Sequence, residues 1–161
     1  MYFEKFPTIA YPYRIGGKNT LKPVADITFN VRFRKEILEN VALYDEYDIK
    51  DGETPEIIAA RVYGNPQYHW VIMLANQRYN YAEDFPKSQR VLEDYVKAKY
   101  QEPYGVHHYE NEQGYTVMES TPGAYPVSNY EYEDRLNESK RRIKLISPQT
   151  LTSILAEYNV I

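Results

Sequence analysis

Residues 44–76 constrain the fold more than any other stretch. Tyr44, Tyr47 and Ile49 alternate as in a short strand, and Asp51-Gly52 supplies a turn. Thr54 is a favourable N-cap. Pro55 suits the first helical position, where its missing N–H has no intrahelical partner to lose, and Glu56 complements the positive end of the helix dipole. The helix over residues 57–62 ends at Tyr63-Gly64-Asn65-Pro66, where Gly64 or Asn65 can take positive φ. A second helix starts near Pro66 or Gln67 and carries Tyr68, Trp70, Val71, Ile72, Met73, Leu74 and Ala75. Being apolar nearly all round, it is predicted to be a buried core helix, closed by Asn76.

The flanking chain is more varied. In residues 1–25, Pro7, Pro12 and Pro23 are expected to break regular structure, and Gly16-Gly17 marks a flexible point. Phe3, Phe6, Ile9, Tyr11, Tyr13 and Ile15 are too apolar for a solvated tail, so this arm is expected to lie on another surface. Ile27, Phe29, Val31 and Phe33 alternate as in a strand, followed by a short helix over residues 34–40 with Ile37 and Leu38 apolar. After a polar loop, Ser88 is expected to cap a helix to about Tyr100 with Val91, Leu92, Tyr95 and Val96 as its apolar stripe. Residues 105–119 read as a hairpin turning at residues 111–114, and residues 120–138, acidic and Tyr-bearing, as loop. Lys140-Arg141-Arg142-Ile143-Lys144-Leu145-Ile146 reads as a strand. Ser147-Pro148 then opens a last helix with Leu151, Ile154, Leu155 and Tyr158 on one face.

Composition narrows the function. The 161 residues suit one domain of ~150 residues with extensions. With no cysteine, disulfide scaffolds, cysteine–zinc sites and thiol catalysis are excluded. A net charge of -4 speaks against a general nucleic-acid binder. No apolar run approaches the ~18 residues of a membrane span, and the N-terminus lacks the pattern of a signal peptide. The 18 tyrosines, against five phenylalanines and one tryptophan, are too many for a small core to bury with every hydroxyl paired. A large share is expected at contacts with other chains.

No catalytic motif emerges. There is no Gly-x-Ser-x-Gly elbow and no phosphate-cradling Gly-x-x-x-x-Gly-Lys-Ser/Thr loop. His107 and His108, adjacent on a strand, would point to opposite faces, poor geometry for one metal, and His69 lies elsewhere. The acidic clusters read as solvated faces rather than as a glycosidase pair, and Trp70 as a core anchor rather than a sugar-stacking platform. The expectation is a protein without enzymatic activity, metal, cofactor or small-molecule ligand.

The run Tyr47, Gly52, Thr54, Pro55, Tyr63, Gly64, Asn65, Pro66, Trp70 and Asn76 resembles the lysin motif (LysM), a β-α-α-β unit with two paired strands beside two helices. The wider chain resembles the LysM-like baseplate wedge subunits of T-even-type contractile-tailed bacteriophages. That likeness rests on Val24-Ala25-Asp26-Ile27 with Arg32-Phe33-Arg34, the Tyr63-Gly64-Asn65-Pro66-x-x-x-Trp70 run, the segment from Pro86 to Tyr100 with His107-His108-Tyr109-Glu110, and Arg141–Ile146. The resemblance implies an α+β fold: a LysM-like core (44–76 plus 140–161), an insertion (77–139) of helix plus hairpin, an extended N-terminal arm (1–25) and a C-terminal helix, with residues 26–161 as one domain. It also implies a virion protein of the tail baseplate, assembled in the host cytoplasm. Such a protein would join neighbouring wedge subunits around the hub, with other wedge and hub-proximal proteins as partners in a six-fold assembly. Phe3, Phe6, Tyr11, Tyr13, His107, His108 and Tyr109 are the candidate partner contacts. The alternative is a LysM-type module binding peptidoglycan or other N-acetylglucosamine-containing glycans.

Overall fold

Pro55 opens helix α1 (Pro55–Tyr63) as its position requires, and the helix buries Pro55, Ile58 and Ala59. Gly64, not Asn65, takes the left-handed conformation that ends it, with φ 71°. Asn65 instead uses its side-chain oxygen to accept the N–H of Gln67, capping the 3-10 turn Pro66–Tyr68 that leads into α2 (His69–Ala75). As expected for a helix apolar all round, α2 buries Trp70, Val71, Ile72, Leu74 and Ala75.

The computed structural model describes residues 3–29, 31–33 and 40–158. Besides α1 and α2 it contains β1 (Thr8–Ile15), β2 (Lys18–Ala25), β3 (Tyr44–Asp48), α3 (Tyr81–Asp84), α4 (Gln89–Lys99), β4 (Val106–Glu110), β5 (Thr116–Val117), β6 (Tyr125–Ser128), α5 (Asn129–Glu138), β7 (Arg142–Ile146) and α6 (Pro148–Tyr158). The class is α+β, with three small sheets: β1-β2, β3-β7 and β5-β4-β6. The chain forms two compact units. One comprises Met1–Asp45, Pro55–Gln77 and Lys144–Ile161; the other comprises Glu46–Thr54 and Arg78–Ile143.

The first unit is built on α2 and α6. Phe6, Trp70, Val71, Leu74, Ile146, Leu151, Ile154 and Tyr158 form its core, with the rings of Trp70 and Tyr158 5.1 Å apart. Ser147 opens α6: its carbonyl accepts from Leu151 N–H and its hydroxyl from Thr150 N–H. Asn76 does more than close α2. Its side-chain amide donates to the carbonyls of Ile72 and Lys144, and its oxygen accepts Lys144 N–H at 2.7 Å, so one side chain pairs with β7 as a strand would. Tyr63 donates its hydroxyl to Ile146 O, and burial pushes its pKa well above the ordinary tyrosine value.

Three stretches differ from the expectations of the sequence. Residues 8–25 are not broken by their prolines; they pair along their whole length, Thr8 opposite Ala25 through Ile15 opposite Lys18. Gly16 and Gly17 both have positive φ, giving the two-residue turn whose twist suits a hairpin. That turn makes Ile15 and Lys18 a hydrogen-bonded pair, so by alternation Pro12 and Pro23 fall in non-hydrogen-bonded pairs, where the missing N–H would point outward. Asp26 N–H donating to Pro7 O at 2.7 Å keeps this parity. Next, Ile27 and Phe29 are not in a strand: Asp26 accepts from the N–H and hydroxyl of Thr28 and closes a turn. Val31 and Phe33 pack against the core without regular structure, and the expected helix over residues 34–40, with Ile37 and Leu38, falls outside the described residues except for Asn40.

In the second unit the expected hairpin gains a third strand, β6, and much of the expected loop is the helix α5, capped by Ser128 Oγ accepting Glu131 N–H. The buried residues of α5 are Glu133 and Asn137. Glu133 accepts from Lys99 Nζ (2.6 Å) and Tyr100 Oη (2.8 Å), and Asn137 makes a two-bond bridge to the backbone of Lys87. The helix is thus held by polar contacts, which leave no apolar stripe in the sequence. Ser88 precedes α4 without a side-chain cap; the carboxylate of Asp51 accepts Gln89 N–H instead.

Candidate partner-contact surface

Hairpin β1–β2 presents two faces. Residues directly opposite share a face, so Ile9, Tyr11 and Tyr13 stand with Val24, Lys22 and Thr20 on one, and Ala10, Pro12 and Arg14 with Pro23, Leu21 and Asn19 on the other. Tyr11 is 53% exposed, Tyr13 50% and Leu21 68%. Lys22 lies over the ring of Tyr13, 5.3 Å from its centroid. Among its described side chains the ribbon reaches the core at the base, through Ala25. A two-stranded ribbon so exposed is marginal by itself in water.

The expected contact residues therefore divide. Tyr11 and Tyr13 are exposed on one face of the hairpin, and Phe3 is exposed beside them in sequence, edge-on to Phe6 with ring centroids 5.2 Å apart. Phe6 itself is 5% exposed and belongs to the core, so it is an anchor of the arm and not a contact. The sequence reading missed Leu21, Val24, Lys18 and Lys22 of the second strand. The signal was present: a Gly-Gly pair bounded by the alternation Ile9, Tyr11, Tyr13, Ile15.

His107 and His108 do not point to opposite faces. A bulge between Val106 and His108 shifts the register, and the two Nδ1 atoms lie 2.8 Å apart. His107 stacks on Tyr132 of α5 at 3.9 Å, while His108 Nε2 meets Glu110 Oε1 at 2.9 Å. In the neutral pair His108 gives its Nε2–H to the carboxylate and accepts at Nδ1 from His107. Glu110 also accepts from Arg135 (2.7 Å) and Tyr125 (3.2 Å). Arg135 and then His108 hold its carboxyl below the ordinary carboxylate range. Both histidines are thus engaged on the α5 side of the sheet. Tyr109, with Val117 and Pro126 opposite, occupies the other face and donates its hydroxyl to Glu119 at 2.9 Å.

Of the residues that the lysin-motif resemblance singled out, Pro55 is buried, Tyr47, Thr54, Tyr63, Asn65 and Asn76 are half-buried, and Gly52, Gly64 and Pro66 are exposed. Trp70 is buried, Tyr63 and Asn76 bond to the β7 region, and Tyr47 donates to Glu53 at 2.6 Å. Among the described residues no group of three or more His, Asp or Glu could hold a metal ion, and no helix is long and apolar enough to cross a membrane. Among the described residues eight tyrosines are exposed and Tyr158 is the one buried tyrosine, which keeps most of these phenol rings at or near the surface.

The described residues thus combine internal charges that serve as braces with an aromatic ribbon and turns exposed to solvent. Residues 1–125 match the family described as Base plate wedge protein 53, and the chain belongs to that family. It is similar to the baseplate wedge protein gp53 of Enterobacteria phage T4, with 27% identity over 182 aligned positions covering 96% of this chain and 92% of that one. The chain is a structural protein of a phage tail baseplate, and its place is in the virion tail.

Proposed function

We propose that this protein joins neighbouring wedge subunits around the central hub of the baseplate by protein–protein contacts, within a six-fold assembly that forms in the host cytoplasm. One observation carries the reading: an intact hairpin, residues 8–25, that leaves Tyr11, Tyr13 and Leu21 half or more exposed. A ribbon of this kind gains its stability from whatever covers it. The β3-α1-α2-β7 order, with β3 and β7 paired, supports a lysin-motif-like kernel that holds the ribbon in place. The reading needs no catalytic residue, cofactor or glycan.

The test is reconstitution with the other wedge proteins of the same phage. Hydrogen exchange in residues 8–25 is expected to slow on assembly, and a chain lacking residues 8–25, which keeps Phe6 in the core, is expected to assemble poorly while an exposed-loop variant assembles normally. Unchanged exchange in the hairpin, with full assembly of the truncated chain, would overturn the joint. N-acetylglucosamine oligomers, titrated in parallel, are expected to give no saturable binding.

A further inference from the structure

The charges of this chain are segregated. Residues 8–25 carry Arg14, Lys18 and Lys22 and no acidic residue, whereas residues 100–134 carry seven acidic residues and no lysine or arginine, in a protein of net charge -4. No carboxylate of the described residues pairs with Arg14, Lys18 or Lys22. In the acidic segment Glu110, Glu131 and Glu133 are already matched by Arg135 and Lys99; of the other four, Asp134 is half-buried, and Glu102, Glu112 and Glu119 are exposed with no ion pair among the described residues.

The two regions also match in form. Each outer edge of the hairpin lacks one N–H, at Pro12 and at Pro23, so another strand adding to either edge would meet a gap in its ladder. The hairpin is therefore built to be covered on a face. Its Ile9–Tyr11–Tyr13 face is apolar and aromatic with Lys22 among the rings. The β5-β4-β6 sheet keeps α5 on one face and sets Tyr109, Val117 and Pro126 on the other. Exposed Tyr115 and Met118 lie beside β5, Glu112 is in the β4–β5 turn, and Glu119 follows β5. Two small sheets of opposite charge, each with an aromatic face, are complementary for face-to-face packing.

We propose that the hairpin of one copy docks on the Tyr109 face of the three-stranded sheet of a second copy. The occupant of each surface is thus another molecule of this protein, head to tail. This rests on the hairpin being a contact element, as the proposed function has it. Because the two surfaces differ, the contact is heterologous: repeated, it builds a ring where its rotation closes. Net charge repels the copies in other orientations, so the opposite local charges select this one.

Charge reversal on each surface tests the pairing. Wild-type protein is expected to associate with rising concentration at low ionic strength, and salt should weaken the association. Lys18→Glu with Lys22→Glu, and separately Glu112→Lys with Glu119→Lys, should each weaken self-association by roughly tenfold or more while leaving circular dichroism unchanged, since all four side chains are exposed. Mixed in equal amounts, the two variants should recover the association that each has lost alone, because every contact between unlike variants again joins surfaces of opposite charge. Light scattering with sedimentation distinguishes these outcomes. A wild type that stays monomeric at every concentration, variants that associate like wild type, or a mixture that fails to pair each overturn the proposal. A monomer that still binds other wedge proteins through residues 8–25 overturns the second copy as occupant and leaves the joint standing.

Discussion

Among the described residues two ribbons of two antiparallel strands are stabilised in opposite ways. In β1–β2 the partners are adjacent in sequence, a two-residue turn sets the register, and nearly every side chain beyond the base is exposed. In β3–β7 the partners lie far apart in the chain. Ser147 N–H donating to Leu43 O at one end and Ile49 N–H donating to Arg141 O at the other fix an antiparallel register, and Ile143, Leu145 and Ile146 are buried. The hairpin forms from local geometry and lacks cover; the distant pair needs long-range closure and is secured by burial. The same secondary structure thus serves once as presented surface and once as scaffold.

The largest test of this contrast is core truncation against surface truncation. Trp70→Ala is expected to cost about 3–5 kcal/mol of stability, because it removes a buried ring packed on Tyr158. Tyr11→Ala, at an exposed position, is expected to change monomer stability by less than about 0.5 kcal/mol. Urea unfolding midpoints measure both. If Tyr11→Ala destabilised the monomer as much as Trp70→Ala, the hairpin would have to be covered within its own molecule, and the comparison would break.

A middle-sized effect is expected at Asn76. Asn76→Ala removes its bonds to both the N–H and the carbonyl of Lys144 in one step, at a cost of about 1–3 kcal/mol. Asn76→Asp keeps the acceptor for Lys144 N–H but removes the amide donor, and should fall between Ala and wild type. The unfolding midpoint reports the loss, and hydrogen exchange at Lys144 should rise in step. An unchanged Lys144 exchange rate in Asn76→Ala would mean that β7 is held by its strand partner alone.

How far the sequence revealed this arrangement depended on which force holds each element. Helix α2 was legible because Trp70 to Ala75 are apolar, and α1 because Pro55 and Gly64 occupy positions that backbone geometry reserves for them. Helix α5 was not legible, because its buried anchors are Glu133 and Asn137, whose partners lie on other elements. The prolines of the hairpin were misleading for a related reason: Pro12 and Pro23 are harmless only in one register, and the register is set by Gly16-Gly17. Among the proposed contact residues, Tyr11 and Phe6 look alike in sequence, yet one faces solvent and the other fills the core. The convergence of His107 and His108 depends on a bulge that no residue pattern announces.

Acid sharpens the comparison by a different route, since residues 8–25 contain no carboxylate while the second unit depends on two. Burial works to raise the pKa of Glu133, but the bonds from Lys99 and Tyr100 outweigh it, and the carboxyl titrates below its ordinary value of 4.5. A folded-state pKa below the unfolded one contributes stability that is full above the ordinary value and lost as pH falls through the depressed one. Stability measured by urea unfolding should therefore decline below about pH 4.5, and Glu133→Gln should flatten that decline while lowering stability at neutral pH. A Glu133→Gln protein with the same acid limb as wild type would show that other carboxylates carry it.

The smallest effect is expected at the hairpin turn. Gly17 has φ 83°, where a β-branched side chain is strained, so Gly17→Val should disfavour the turn by about 1–2 kcal/mol. Gly16→Asn should be nearly neutral, because asparagine tolerates the left-handed region at φ 56°. Since few side chains of the ribbon are buried, Gly17→Val should leave the global unfolding midpoint within about 0.5 kcal/mol of wild type, yet loosen the cross-strand contact between Tyr11 and Lys22 in nuclear Overhauser spectra. The consequence should then appear where the ribbon is used: association through residues 8–25 should weaken although the core is intact. A Gly17→Val variant that associates normally with a frayed hairpin would mean that the side chains of residues 8–25 dock without the ribbon as their frame.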